Sequence, residues 1–153
     1  MSLRDDFTTA VKESMKGGDK PRLSVVRMIQ AGLKDRDIAA RGGEHDGKIP
    51  DSEILSMLQK MIKQAQETLE TATKAGRAEM AENTKTEIEI LASFLPRQMD
   101  VAETKAAIAT VVGEIGAAGV KDMGKVMAVL KERFAGKMDF SKTSPLVKEA
   151  LGG

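Results

Sequence analysis

The sequence contains no cysteine, no tryptophan and no tyrosine, and only four phenylalanines. Without cysteine, the chain forms no disulfide, no thiolate nucleophile and no cysteine-ligated zinc site. It also has no apolar run near the roughly 20 residues that a membrane span requires. The polar start, residues 1–6, does not resemble a signal peptide. We therefore expect a cytoplasmic protein that does not cross a membrane.

An excess of charge of one sign is also missing, because 24 basic residues nearly balance 23 acidic ones. A protein that binds nucleic acid through its overall field is strongly basic. The balance excludes that mode of binding, and only a local basic patch would hold RNA.

What the chain has is helix-forming composition. Alanine, lysine, glutamate, methionine and leucine are abundant, and apolar residues recur at steps of three and four in seven segments. Four longer segments come first and three shorter ones follow. The pattern predicts an all-α protein.

One proline divides the predicted helices into two groups. Pro96 disfavours helix at Leu95, because the residue before proline is pushed out of the helical region. The sequence thus predicts an N-terminal four-helix domain over residues 1–95 and a C-terminal three-helix domain over residues 96–153. Within the first domain, the polar, glycine-rich residues 41–47 predict a mobile loop. We expect the final helix to begin at Ser144-Pro145.

Four short strings occur in a characteristic order along the chain. They are RLSVVRM at residues 22–28, AGR at 75–77, FLPRQM at 94–99 and KDMGKVM at 121–127. In this order and spacing the chain resembles the stand-alone YqeY proteins of the GatB/YqeY family, over essentially its whole length. One departure is Phe140, which stands where relatives often have glycine in a string of the type Asp-Gly-Lys.

The resemblance implies a multihelical N-terminal domain, a three-helix C-terminal domain and a link to tRNA. In the GatB subunit of the tRNA-dependent amidotransferase, the domain similar to residues 97–153 is the C-terminal tail that helps to hold tRNA. The large catalytic domain of that subunit has no counterpart in this sequence. The resemblance therefore carries over no amidotransferase chemistry.

The KDMGKVM string is the main candidate for binding RNA. It lies at the predicted start of the sixth helix, where unpaired N–H groups and the helix dipole favour a phosphate. Gly124 would let the phosphate approach, whereas Asp122, as the helix cap, would occupy those N–H groups and repel it. The alternative is a tight junction in which Gly124 permits close packing. The predicted phosphate contacts are Lys121, Lys125, Lys131 and Arg133.

A second basic pattern consists of Lys20, Arg27, Lys34 and Arg41, which recur every seven residues. On a helix such residues form a stripe that drifts by only about 20° per heptad, and the stripe can follow a phosphate backbone. The alternative is a solvated face neutralised by Asp35 and Asp37.

Catalytic and metal-binding patterns are weak. His45, the only histidine, lies in the glycine-rich loop, which by itself provides no fixed geometry. A serine–lysine pair would use Ser24 or Ser141, but Ser24 falls in a hydrophobic stretch where packing is the simpler interpretation. The acidic run Glu79, Glu82, Glu87 and Glu89 is typical of a solvated face. We expect no catalytic residue, no metal and no cofactor.

Three functional hypotheses follow. The first is a non-catalytic accessory module that binds tRNA, or a tRNA-bearing complex, through its C-terminal domain. The second, by family association, is a part in carbon–nitrogen ligation with glutamine as amide donor, together with a catalytic partner such as an amidotransferase or another translation-related protein. The third is a protein-interaction module with a groove on the third and fourth helices, where an exposed apolar patch would support it and a buried stripe would oppose it.

Overall fold

The computed structural model describes residues 2–152, and over that range it contains seven α-helices, one short 3-10 helix and no strand. The all-α prediction is confirmed. The helices are α1 (Leu3–Gly17), α2 (Lys20–Ala39), α3 (Asp51–Lys74), α4 (Ala78–Ala92), α5 (Val101–Ile115), α6 (Met123–Arg133) and α7 (Phe140–Ala150), with the 3-10 turn Val120–Asp122 before α6.

Local side-chain chemistry sets several helix ends. Ser2 caps α1 in a reciprocal capping box with Asp5, and Asp100 caps α5 in the same way with Glu103. Asp19 caps α2 by accepting a hydrogen bond from the backbone N–H of Arg22. These starts follow directly from the residue types.

The start of the last helix was predicted wrongly. α7 begins at Phe140 and contains Pro145, instead of beginning at Ser144-Pro145. The reason is Asp139, whose carboxylate accepts a hydrogen bond from the Ser141 N–H at 2.9 Å and so caps a helix one turn earlier. Phe140 has helical backbone and is half-buried against the apolar core around it, so glycine is not needed at this position.

Backbone contacts group the chain into two compact units. The first unit ends at Leu95, and the second begins at Pro96. In the first unit, α1 to α4 surround one apolar core that includes Phe7, Ile29, Leu58 and Leu91. Phe7 also meets Phe94 edge to face, with ring centroids 5.1 Å apart.

A polar clasp ties the α2–α3 loop to the first two helices. Both terminal nitrogens of Arg4 donate to the carboxylate of Asp37 at 2.8 Å, and one also donates to the Ile49 carbonyl at 3.0 Å. The same carboxylate accepts the Ile49 N–H at 2.9 Å, and the Ile49 side chain is buried. The predicted loop at residues 41–47 is therefore a series of turns whose far end is anchored.

Small residues fill the outer part of the α3–α4 hairpin. The buried positions in this part are occupied by small residues: Ala65 and Ala72 of α3, and Ala81 and Thr84 of α4. Nearer the core of the unit, the buried positions of the same helices hold larger apolar residues. Small side chains let the two helix backbones approach closely, so this end of the hairpin depends on close packing.

In the second unit, α5, α6 and α7 pack around one core that includes Ile108, Val126, Leu130 and Val147. Two hydrogen bonds join the end of the FLPRQM string to the connection between α6 and α7. The Met99 N–H donates to the Lys137 carbonyl at 2.8 Å, and the Gln98 side-chain amide donates to the Gly136 carbonyl.

Within residues 2–152, no helix is both long enough and apolar enough to cross a membrane.

Candidate nucleic-acid interface

The KDMGKVM string lies at the junction of the 3-10 turn and α6. α5 ends at Gly116, which has a left-handed φ of 67°, and residues 117–119 lead into the 3-10 turn. α6 is fixed by Val126 and Leu130, both fully buried. The opposite side of α6 faces away from the core, and the predicted RNA contacts belong to that side or to the turn before it.

The predicted capping by Asp122 is wrong. Asp122 precedes α6 but makes no side-chain capping hydrogen bond to it, because the 3-10 turn gives it a φ of −91° and a ψ of 3° instead of an extended backbone. Its carboxylate turns back and accepts the Ala118 N–H at 3.0 Å. Because that carboxylate is engaged on the loop, it does not cover the N–H groups of Gly124 and Lys125.

Asp122 nevertheless keeps its charge. The hydrogen bond from Ala118 has the largest influence and holds the pKa of this carboxyl below its ordinary value. Burial opposes this shift, and the positive charges of Lys125 and Lys121 lower the pKa further. A negative charge therefore stands next to the lysines, and it opposes the approach of a phosphate.

The alternative of a close-packed junction at Gly124 is also wrong. A Cβ built on Gly124 meets no atom within 4 Å, apart from its immediate helix backbone, and the residue is exposed. No neighbouring side chain requires glycine here. The missing side chain instead leaves bare helix backbone on the surface between Lys121 and Lys125.

The structure does not bring all four predicted phosphate contacts together. Lys121, Lys125 and Lys131 are exposed, and none forms an ion pair with a carboxylate of the described residues. Arg133, in contrast, pairs with Glu114 of α5 at 2.5 Å. At about 100° per residue, Lys131 and Arg133 lie on opposite sides of the exposed arc of α6, roughly 160° apart. Lys125 lies between these two edges, about 80° from Arg133 and about 120° from Lys131. Because Arg133 is paired with Glu114, the lysines form the candidate site.

Ion pairing leaves the weak basic bias of this unit unchanged but determines which of its cations stay unpaired. Residues 97–153 carry nine basic and seven acidic side chains. Five of the seven carboxylates are engaged in helix caps, in the Asp122–Ala118 bond or in pairs with Arg97 and Arg133. The seven lysines form no ion pair within the described part of the chain. Surface lysines are thus left to meet an external anion.

The second basic pattern is present on α2, with one member missing. Lys20, Arg27 and Lys34 are exposed on the helix, whereas Arg41 lies beyond its end at Ala39. The predicted neutralisation by Asp37 is wrong, because that carboxylate is held by Arg4 instead. Sequence reasoning missed Arg4, since nothing in the local pattern connects residues 33 positions apart.

The other candidate residues lie on the surface of their own units. His45 is exposed in the α2–α3 loop, and Ser141 is exposed near the start of α7. Ser24 is exposed on α2, so its predicted packing in the hydrophobic stretch is wrong. Within residues 2–152, no group of three or more acidic, histidine or cysteine side chains is placed to hold a metal ion.

The α3 stripe bears on the protein-interaction hypothesis. Of its apolar residues, Ile54, Leu58, Ala65 and Ala72 are buried, and Leu55, Met61, Ile62 and Leu69 are half-buried. The stripe is thus used for packing inside the unit, which counts against a groove on this pair of helices. On α4, Met80 is 44% exposed and Glu79, Glu82 and Glu89 are solvated.

The chain matches the family described as Yqey-like protein over residues 4–151. No curated protein matches it. Because the match covers nearly the whole chain, the chain belongs to the YqeY-like protein family.

Proposed function

We propose that this protein is a non-catalytic accessory module of the cytoplasm that binds tRNA, or a complex carrying tRNA, through its C-terminal helical unit. The observation that supports the proposal is the open surface at the start of α6, where exposed, unpaired Lys121 and Lys125 flank the bare backbone of Gly124. Lys131 extends the same surface along the helix.

The chemistry of this surface suits a phosphate backbone better than a base. Lysine is a point charge that binds phosphate without reading sequence. Such contacts position the RNA and lose strength with salt, because each releases condensed counterions. The proposed binding is therefore weak, salt-sensitive and tolerant of sequence.

The proposal assigns different roles to the two units. Residues 96–153 form a domain that is similar to the tail of the GatB subunit and holds the RNA, and residues 1–95 form a second, four-helix domain. The proposal leaves amide transfer to a partner, such as an amidotransferase or another translation-related protein, which supplies the ammonia and the activated substrate.

The test is a fluorescence anisotropy titration of labelled, deacylated tRNA with the full chain. We expect K121Q/K125Q to weaken binding at low salt and to reduce the slope of log affinity against log salt by about 2, one for each lost phosphate contact. A matched control is K142Q/K148Q, which removes two exposed lysines from α7 of the same unit and should change the slope much less.

A variant that is expected to bind tRNA more tightly gives a second test, because misfolding would not increase the affinity. D122N removes the negative charge next to the two lysines and should strengthen tRNA binding at low salt. Absence of binding by the unmodified chain at low salt contradicts the proposal. Equal losses in K121Q/K125Q and K142Q/K148Q contradict the assignment to α6.

A further inference from the structure

We infer that the exposed face of α2 is a second RNA-binding surface, on which Lys20, Arg27 and Lys34 hold the sugar–phosphate backbone. This inference rests on the proposed RNA-binding function and adds a site in the N-terminal unit. From Lys20 to Lys34 the chain carries four basic residues and no acidic residue, although 23 acidic residues are spread over the rest of it.

The three cations share one face of the helix. At about 100° per residue they lie within an arc of roughly 40°, and neighbouring members are about 10.5 Å apart along the axis. All three are exposed, and none pairs with a carboxylate among residues 2–152. The fourth cation of the run, Arg22, is not part of this face, since its guanidinium lies 5.3 Å from the ring centroid of Phe94.

Only short side chains project from the helix surface between the three cations. Ser24 and Ala31, both exposed, widen this arc to about 80°, since they lie about 40° and 20° around the helix from Lys20 on the side away from Lys34. Because both side chains are small, a strand of RNA can approach the helix and contact successive cations.

Two of the three carboxylates near the face are engaged elsewhere, and the third, Asp35, lies at the edge of the face. Asp19 accepts the Arg22 N–H at 3.1 Å as the helix cap. Asp37 is held by two hydrogen bonds from Arg4 and one from the Ile49 N–H. Asp35 is exposed but lies about 100° around the helix from Lys34. The ion pair between Arg4 and Asp37 thus favours RNA binding, because it keeps the Asp37 carboxylate from neutralising Lys34 at the end of the stripe.

The partner that fits this face is RNA rather than a protein. A protein interface is anchored by apolar or aromatic side chains at its centre. Between Lys20 and Lys34 the arc presents only a serine and an alanine besides the cations. Regularly spaced positive charges with no central anchor match a repeating phosphate backbone.

The test uses the absence of cysteine from the chain. Single cysteines are introduced at exposed positions: A31C on α2, A128C on α6 and A92C on α4 as a matched control outside both surfaces. Each full-length variant is coupled to a benzophenone maleimide, mixed with labelled tRNA at low salt and irradiated. We expect crosslinks from A31C and A128C and at most a few per cent of that yield from A92C.

The outcomes separate the two claims. Crosslinks from A128C but not from A31C overturn the inference and leave the proposed function standing. Crosslinks from A31C but not from A128C support the α2 surface and contradict the assignment to α6. Equal crosslinking from all three positions, including A92C, indicates non-specific contact and overturns the inference.

A charge-neutral variant gives an independent measurement. K20Q/R27Q/K34Q keeps good helix formers on α2 and should reduce the slope of log affinity against log salt by about 2 to 3. K60Q/K63Q/K85Q removes the same charge from exposed positions of α3 and α4 in the same unit. A slope that falls equally in both variants overturns the inference.

Discussion

Gly113 and Gly124 occupy exposed helix positions of the C-terminal unit at which an added Cβ would meet no atom within 4 Å. Glycine inside a helix costs about 0.5–1 kcal/mol relative to alanine, mainly through backbone entropy. Both G113A and G124A should therefore raise the free energy of unfolding, by up to about 1 kcal/mol, in urea denaturation followed by circular dichroism.

The two substitutions should differ in RNA binding. G124A places a methyl group on the bare backbone between two lysines and should weaken tRNA binding, whereas G113A, in the last turn of α5, should leave it unchanged. Equal affinities for both variants would remove Gly124 from the site. A loss of stability in either variant would contradict the open surroundings of the two glycines.

The Arg4–Asp37 clasp makes a prediction about pH. Hydrogen bonding to Arg4 lowers the pKa of Asp37, and the Ile49 N–H and the nearby charges of Arg4 and Lys48 add to the shift, while burial opposes it. A carboxyl whose pKa is lowered by folding stabilises the protein above the unfolded pKa of about 3.9, and this contribution is lost as pH falls through the folded value.

D37A should thus lower the free energy of unfolding by about 2 kcal/mol near neutral pH, and the deficit should shrink as pH falls below about 4. The measurement is urea denaturation of both proteins at neutral and acidic pH. E70Q is the control, because Glu70 pairs with Lys74 on an exposed face, where such a pair contributes less than about 0.5 kcal/mol. A deficit that is independent of pH would disprove the ionic account of the clasp.

At the scale of the element, the α3–α4 hairpin depends on its small residues. Ala72 is 2% exposed where the two helices pack closely. A72L should lower the free energy of unfolding by about 1–3 kcal/mol, since the extra atoms force the helices apart. A92L, at an exposed position of α4, should change it by less than about 0.5 kcal/mol, as surface substitutions do. Similar values for the two variants would mean that this end of the hairpin is loosely packed.

Helix starts were predictable where residues close together in the sequence form the cap. The capping boxes at Ser2 and Asp100 follow from a cap and an acidic residue three positions later. The start of α7 was missed because Ser144-Pro145 gave a stronger pattern than the single aspartate at residue 139, which forms the cap. Asp122 was misassigned because a 3-10 turn, which leaves little trace in sequence, rotates its side chain away from α6.

For the candidate site, the sequence predicted which residues are charged and exposed but not how they are paired. The exposure of Lys125 follows from helical periodicity, whereas Lys121 lies in the 3-10 turn before the helix. The pairing of Arg133 with Glu114 and of Arg4 with Asp37 depends on how separate helices pack, which a local pattern does not encode. Those pairings decide which cations remain available to RNA.

At the scale of the whole molecule, the two compact units lead to a prediction about folding. Each has its own apolar core. Residues 1–95 and residues 96–153, expressed separately, should each give a helical circular dichroism spectrum and a cooperative thermal transition. The smaller fragment should have the lower Tm, because a smaller chain buries a smaller share of its surface. A fragment without helical signal would contradict the predicted two-domain organisation.

The most direct test of RNA binding is the salt dependence of the full chain with labelled tRNA. If Lys121, Lys125 and Lys131 on one unit and Lys20, Arg27 and Lys34 on the other each contact one phosphate, the two proposed surfaces give six contacts. Log affinity should therefore fall linearly with log salt, with a slope of about −4 to −5 when both surfaces are engaged. No binding at low salt, or a slope near zero, would contradict the account.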